Sequence, residues 1–501
     1  MQSTDMNVAD RPPAETQTPA LPSPRVRLAK PEILLGLLFL VTLPLVNPWV
    51  RGDGVGYYAF ARSLLIEHRL NFENDWRQAN ETFRTGRVDA DGRIAADQYT
   101  STGLLNNHFA IGPAILWAPF LIVTHFAVLG ADRLGAQVRA DGFSQPYRWT
   151  AAMATALYGF LAVWLSFRLA RKYIPEAWSF AAAIGIWFAS PLPVYMYFDP
   201  FWSHAHSAFT VALFVWYWDR TRPDRTWSQW LLLGAASGLM MDVYYPTAVL
   251  ALALPFEWLW AMRTGLRSGA PARARLAGCA LFGAAALVVF SPTLIVKRMI
   301  YGSYVHTGYD VQWFLQSPAF FKVLFSSDHG LFTWTPLLFL SALGLFLFRK
   351  SQPTLADYFL AVFFAYLYVL GCYSSWDGLS SFGSRYFLPL APIFVIGLAA
   401  TLHALSLALG RRGRWAWAVV ALAVVWNLGL IFQWGTHLIP ARGPIDWREA
   451  TYNQVAVVPM RVTGDLENYL LRRGEMMEKI EREDVESLKE DGAAPPPQRE
   501  P

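Results

Sequence analysis

Four stretches of the chain gather side chains able to accept protons or hold anions. In RGDGVGYY (51–58), Gly52, Gly54 and Gly56 let the backbone turn closely around the carboxylate of Asp53, and Tyr57 and Tyr58 follow directly. In YFDPFWSHAHS (197–207), Asp199 precedes Pro200, and His204 and His206 lie just beyond. A long loop returns through Ser326, Ser327, Asp328, His329 and Gly330 to Trp334, with Lys297 and Arg298 ahead of it. In YSSWDGLSSFGSRYFLPLAP (373–392), Arg385 sits among Trp376, Asp377, Ser381, Ser384 and Tyr386. A carboxylate can remove a proton from a hydroxyl. Arginine suits bidentate contact with phosphate, and lysine offers it a point charge.

Each residue also has a structural reading. Asp53 and Asp199 are favoured types at helix starts and could cap helices. His204 and His206, two apart, point to different helix faces, so they make a weak metal pair. Lys297 and Arg298 could snorkel to an interface. Arg385 could pair with Asp377, and Asp242 with Lys297 or Arg298. The two acids and nearby histidines are compatible with a divalent metal and equally with none.

The elements that must position these residues are membrane helices. The 501 residues are 54% hydrophobic, 15% aromatic and only 16% charged. Apolar segments fall at 32–50, 109–130, 148–170, 178–198, 203–219, 228–244, 246–262, 276–298, 333–348, 355–372, 386–408 and 415–434, many long enough to span a bilayer. The net charge of +5 comes from short basic clusters at the ends of these segments. That is the positive-inside pattern and not a nucleic-acid footprint. Cys279 and Cys372 stand in no motif.

Charge also sets the topology. A full crossing by 109–130 would put Arg168, Arg171, Lys172, Arg220, Arg222 and Arg225 outside. If that segment lies along or dips into the outer interface, these clusters become cytoplasmic, with Arg349, Lys350, Arg411, Arg412 and Arg414. Pro113 and Pro119 are expected to break its helix. The expected fold is an all-α polytopic membrane protein with about eleven crossings and an interfacial helix, YYAFARSLLIEH, in the first outer loop. A disordered cytoplasmic tail (1–30) precedes the membrane domain (31–434). A short carboxy-terminal segment (435–501) follows, with a solvated charged helix and a proline-rich end. Asp53, Asp199, His329 and Arg385 then share the outer face.

In their order, these motifs resemble bacterial membrane glycosyltransferases of the GT-C superfamily, which includes protein O-mannosyltransferases and the aminoarabinose transferases of lipid A. The likeness rests on GDGVGYY (52–58), Ser203-His204, SSDHGLFTWTP (326–336) and SFGSRYFLPLAP (381–392), across residues 31 to 400. It implies transfer of a sugar from a polyprenyl-phosphate-linked donor to a glycan, lipid or protein acceptor, at the outer, periplasmic face of a bacterial cytoplasmic membrane. It further implies that Asp53 is the base and Asp199 a second outer-loop acid. Arg385, with Lys297, Arg298 or His329, would hold the departing phosphate, and His204, Tyr57, Tyr58 and Trp334 would complete the site. Asp328 and Asp377 depart from the pattern, standing where a basic residue and a glycine or aromatic are usual. They favour a noncatalytic protein on the same scaffold, one of two alternatives; the other is a transport protein for lipid-linked sugars. A transporter would instead show an inverted repeat or charges deep in the membrane.

Overall fold

The computed structural model describes residues 30–222, 224–264, 272–309 and 311–493. The expected amino-terminal tail and proline-rich end lie outside the described residues. The described chain is helical, with only isolated bridges such as Val88–Ile94 and Tyr99–Leu105. Six of its helices are long and apolar enough to cross a membrane.

In chain order the helices that matter are α1 (Lys30–Thr42), α2 (Asp53–Arg62), α3 (Gly112–Arg133), α4 (Gln145–Ala170), α5 (Glu176–Phe188), α6 (His204–Thr221), α7 (Trp227–Val243), α8 (Ala253–Thr264) and α9 (Ala272–Tyr301). They continue as α10 (Pro336–Phe348), α11 (Pro353–Cys372), α12 (Ala391–Leu409), α13 (Trp415–Gly435), α14 (Val458–Leu471) and α15 (Arg473–Ala493). Alanine and glycine allow the closest approaches. A Cβ at Gly344 of α10 would lie 1.8 Å from the carbonyl oxygen of Gly397 in α12, so those backbones touch.

Ion pairs fix which helix ends share a side. Glu32, at the start of α1, lies 3.6 Å from Arg168 and 3.4 Å from Arg171, which flank the end of α4. Beside them, Lys172 binds Asp219 at 2.8 Å, and Arg225 binds Glu257 at 2.9 Å. At the other end of α1, Thr42 meets the hydroxyl of Tyr197 at 2.9 Å, and Phe39 stacks on Phe160 along the way. Helices α1 and α4 are therefore antiparallel, and their cationic end lies opposite Asp53 and Asp199.

The prolines do not break α3, contrary to expectation. Pro113 falls in the first turn, where a missing N–H costs nothing, and the helix continues through Pro119 to Arg133. Tyr158 of α4 donates to the carbonyl of Leu116 at 2.9 Å, supporting the turn that Pro119 weakens. Thr124 meets Thr150 at 2.8 Å and His125 meets Tyr147 at 2.7 Å, so α3 runs antiparallel to the first part of α4.

Helix α2 is buried from Gly54 to Arg62, because residues 69–111 fold over it. Arg62 grips Asp75 through two hydrogen bonds of 2.6 and 2.5 Å. Burial pushes the Asp75 carboxyl up to about 6 despite that arginine.

The charged carboxy-terminal helix, expected as a solvated amphipathic helix, docks through one face. Met477 and Val485 of α15 are buried. Arg473 donates to the carbonyls of Val46 (2.8 Å) and Pro44 (2.6 Å), and Tyr469 of α14 to that of Leu45 (2.8 Å). Glu481 accepts from Asn80 and from the Thr82 amide. The tail thus satisfies backbone groups left open where α1 ends.

Candidate active site

Gly52 enters α2 at φ +52°, and a Cβ there would lie 3.1 Å from the Trp202 ring, so glycine meets both a conformational and a steric demand. The next residue, Asp53, opens the helix and makes no side-chain cap. Its Oδ2 instead accepts from Arg385 Nη1 at 2.9 Å. Arg385 is only 8% exposed, whereas Asp53 is 36% exposed, so the carboxylate faces open space from a buried cation. The second guanidinium nitrogen, Nη2, donates to the carbonyl of Gly378 at 2.9 Å. The guanidinium carbon lies 4.3 Å from the Trp202 ring and 5.2 Å from that of Tyr386. Arg385 therefore pairs with Asp53 and not with Asp377.

Asp199 has a different arginine. It is 6% exposed, and Arg51 Nε lies 3.9 Å away. Burial raises its pKa, and Arg51 opposes the rise. It does not cap α6, which starts five residues later after Ser203. Arg51 also pairs with Asp484 of α15, whose other oxygen meets His437 at 2.9 Å, and His437 reaches Glu483 at 2.7 Å. Trp202 donates to the carbonyl of Arg51 at 3.3 Å, so one indole separates the two acid–arginine pairs.

Tyr57 and His204 lie beside this centre. Ser203 donates to the Tyr57 hydroxyl at 3.0 Å. His204 is buried among Tyr195 (4.7 Å), Tyr244 (6.0 Å), Trp202 (6.2 Å) and Tyr386 (6.2 Å). Tyr58 turns away, donating to the carbonyl of Gly142 at 2.7 Å. His206 also turns away, edge-on to Trp117 at 5.0 Å.

His329 joins the site indirectly. Its Nδ1 lies 2.9 Å from the carbonyl of Asp377, the residue before the Gly378 that holds Arg385. Burial lowers its pKa to about 4, leaving a neutral ring near pH 7. Trp334 packs 5.0 Å from it and donates to Ser327 O at 2.9 Å, fixing the loop.

Lys297 and Arg298 are engaged elsewhere. Lys297 is buried and donates to the carbonyls of His108 (3.1 Å) and Thr307 (2.8 Å). Arg298 is exposed beside Tyr304. Asp242 accepts from Thr293 at 2.5 Å, not from either of them. Among the described residues no group of three or more His, Cys, Asp or Glu side chains is placed to hold a metal ion. Sequence reasoning missed Arg51, Tyr195, His437 and Asp484. Only Arg51 carried a local signal, standing two residues before Asp53.

Residues 143–296 match the family model of dolichyl-phosphate-mannose-protein mannosyltransferases. No curated protein is significantly similar in sequence. Among solved structures, ArnT from Cupriavidus metallidurans in the apo state aligns at 15% identity with a TM-score of 0.44, covering 80% of this chain and 70% of that one. The archaeal oligosaccharyltransferase AglB from Archaeoglobus fulgidus, in complex with an inhibitory peptide and a dolichol-phosphate, aligns at 12% identity with a TM-score of 0.45, covering 85% of this chain and 54% of that one. The family match runs from α4 into α9, under a third of the chain, and includes Asp199 and His204.

Proposed function

We propose that the protein transfers a sugar from a polyprenyl-phosphate-linked donor to an acceptor at the outer face of a bacterial cytoplasmic membrane, with Asp53 as base. The observation that carries this reading is the pairing of an accessible Asp53 with a buried Arg385. Asp53 accepts the acceptor's hydroxyl proton as that oxygen bonds to the anomeric carbon. The bond from that carbon to the phosphate oxygen breaks, and the phosphate leaves with the electron pair. Arg385, which orients Asp53 beforehand, stabilises the negative charge on the leaving group. Asp199 with Arg51, and the ring of His204, shape the adjoining wall.

The outer-face assignment is supported by parity. Glu32 pairs with Arg168 and Arg171, so the chain crosses an even number of times between them. Helices α1 and α4 supply two crossings, which leaves α3 on one side despite its length. The cationic end then faces the cytoplasm.

The experiment is a cell-free assay with radiolabelled polyprenyl-phosphate sugars and membranes containing either wild type or Asp53→Asn. Transfer by wild type that disappears in the variant is the expected result. Equal transfer by the two proteins overturns the assignment of the base.

A further inference from the structure

The first outer loop and the segment after α9 enclose an open cavity of about 610 Å³, lined by Asp97, Tyr99, Asn106, Tyr301, Ser303 and His306 among others. This volume falls in the range of small-molecule sites, about 300–1,000 Å³.

Its walls are tied together by specific bonds. Thr100 and Thr102 both donate to the carbonyl of Ile300, at 2.6 and 2.7 Å, where the end of α9 lacks a helical donor. Tyr301 donates to Asn106 Oδ1 at 2.6 Å. Lys297, buried beneath, joins the two loops through the carbonyls of His108 and Thr307. At Gly308 (φ +79°) a Cβ would come within 2.0 Å of the Tyr301 hydroxyl, so that wall admits only glycine.

The lining chemistry narrows the occupant. Among the described lining residues there is no lysine or arginine, which disfavours a phosphate. A purely apolar chain would leave the lining hydroxyls, amide and carboxylate without partners. Hydroxyl groups of a neutral carbohydrate can donate to Asp97 and Asn106, and its C–H faces can lie on the rings of Tyr99 and Tyr301.

One wall of the cavity leads along the chain to the site. Residues 106–109 run from its wall to α2, where Asn107 donates to the carbonyl of Gly56 at 3.0 Å and Phe109 packs 4.8 Å from Tyr57. We infer that this cavity binds a neutral glycan, the acceptor of the transfer reaction, and that Lys297 positions its walls. The acceptor role rests on the function proposed above; the binding does not.

The test is saturation-transfer NMR on the full chain in detergent, with maltotetraose, cellotetraose and chitotetraose as probes and no donor present. At least one probe is expected to receive saturation. Asp97→Ala should weaken it about tenfold through loss of a charged acceptor. Ser303→Ala, which removes a hydroxyl that accepts from the Val305 amide at 3.4 Å, should weaken it less. The inference is overturned by saturation of none of the three, by equal saturation in wild type and Asp97→Ala, or by a signal only from a serine- and threonine-rich peptide. Glycan binding that persists while the transfer assay fails overturns the proposed function alone.

Discussion

Arg385 Nη1 donates to Asp53 Oδ2 at 2.9 Å, joining residues 332 positions apart in the chain. The bond holds the carboxylate at the start of α2, while the carbonyl of Gly378 and the faces of Trp202 and Tyr386 hold the guanidinium. A buried cation beside a more exposed anion fixes the direction of the carboxylate, as proton removal requires.

Replacing either partner should therefore be costly. Asp53→Asn is expected to lower transfer by roughly 10²–10⁴-fold, the usual range for loss of a general base. Arg385→Lys keeps the charge but cannot bond Asp53 and Gly378 through one rigid fork. It should retain membrane expression and lose at least about tenfold in activity. Turnover in isolated membranes, normalised to protein, checks both, and an Arg385→Lys enzyme at wild-type rate would remove Arg385 from the reaction.

The docking of α15 should weaken as pH rises. The hydrogen bond to Asp484 raises the pKa of His437, so the stabilisation it contributes is complete below ~6.5 and fades as pH climbs through the folded value. Burial would raise the Asp484 carboxyl, but His437 and Arg51 outweigh it and lower its pKa, so its contribution is lost only in acid. Asp199 acts in the same direction as His437, because burial raises its pKa and the protonated form that suits the buried site is lost as pH climbs through the folded value. Lys479 lies 3.7 Å from Glu483 on the same helix. Hydrogen exchange across 473–493 should be faster at pH 9 than at pH 6 beyond the intrinsic pH effect, and His437→Ala should reduce that difference. Equal protection at both pH values would count against the latch.

Lys297 should prove to be a positioning residue and not a phosphate ligand. Lys297→Met leaves two loop carbonyls without their donor, a local loss of about 1–3 kcal/mol. Protease sensitivity within 300–309 is expected to rise while donor affinity holds. A weaker donor affinity with intact loops would restore the phosphate role.

The topology can be read with a reporter fused after residue 140, beside Gly142, which accepts from Tyr58 on α2. A reporter active only outside the cytoplasm should give signal there and none after Arg225. The opposite pattern would mean that α3 crosses fully.

The sequence by itself determined the membrane class and the four polar stretches. Apolar run length and the placement of Arg and Lys follow from the cost of burying charge in hydrocarbon, a local property that needs no tertiary knowledge. Asp53 was legible for the same reason, since three alternating glycines around an acid announce a tight approach, and Gly52 indeed abuts Trp202. What a linear pattern cannot carry is which distant group satisfies which. Pairing of Arg385 with Asp53 instead of its neighbour Asp377, of Arg51 with both Asp199 and Asp484, and of Lys297 with two carbonyls is decided by how helices and loops pack. Tertiary structure also showed Pro119 to lie within a continuous α3, where Tyr158 of another helix bonds the neighbouring carbonyl of Leu116. It docked α15 in place, where Arg473 and Tyr469 bring donors to the backbone carbonyls after α1.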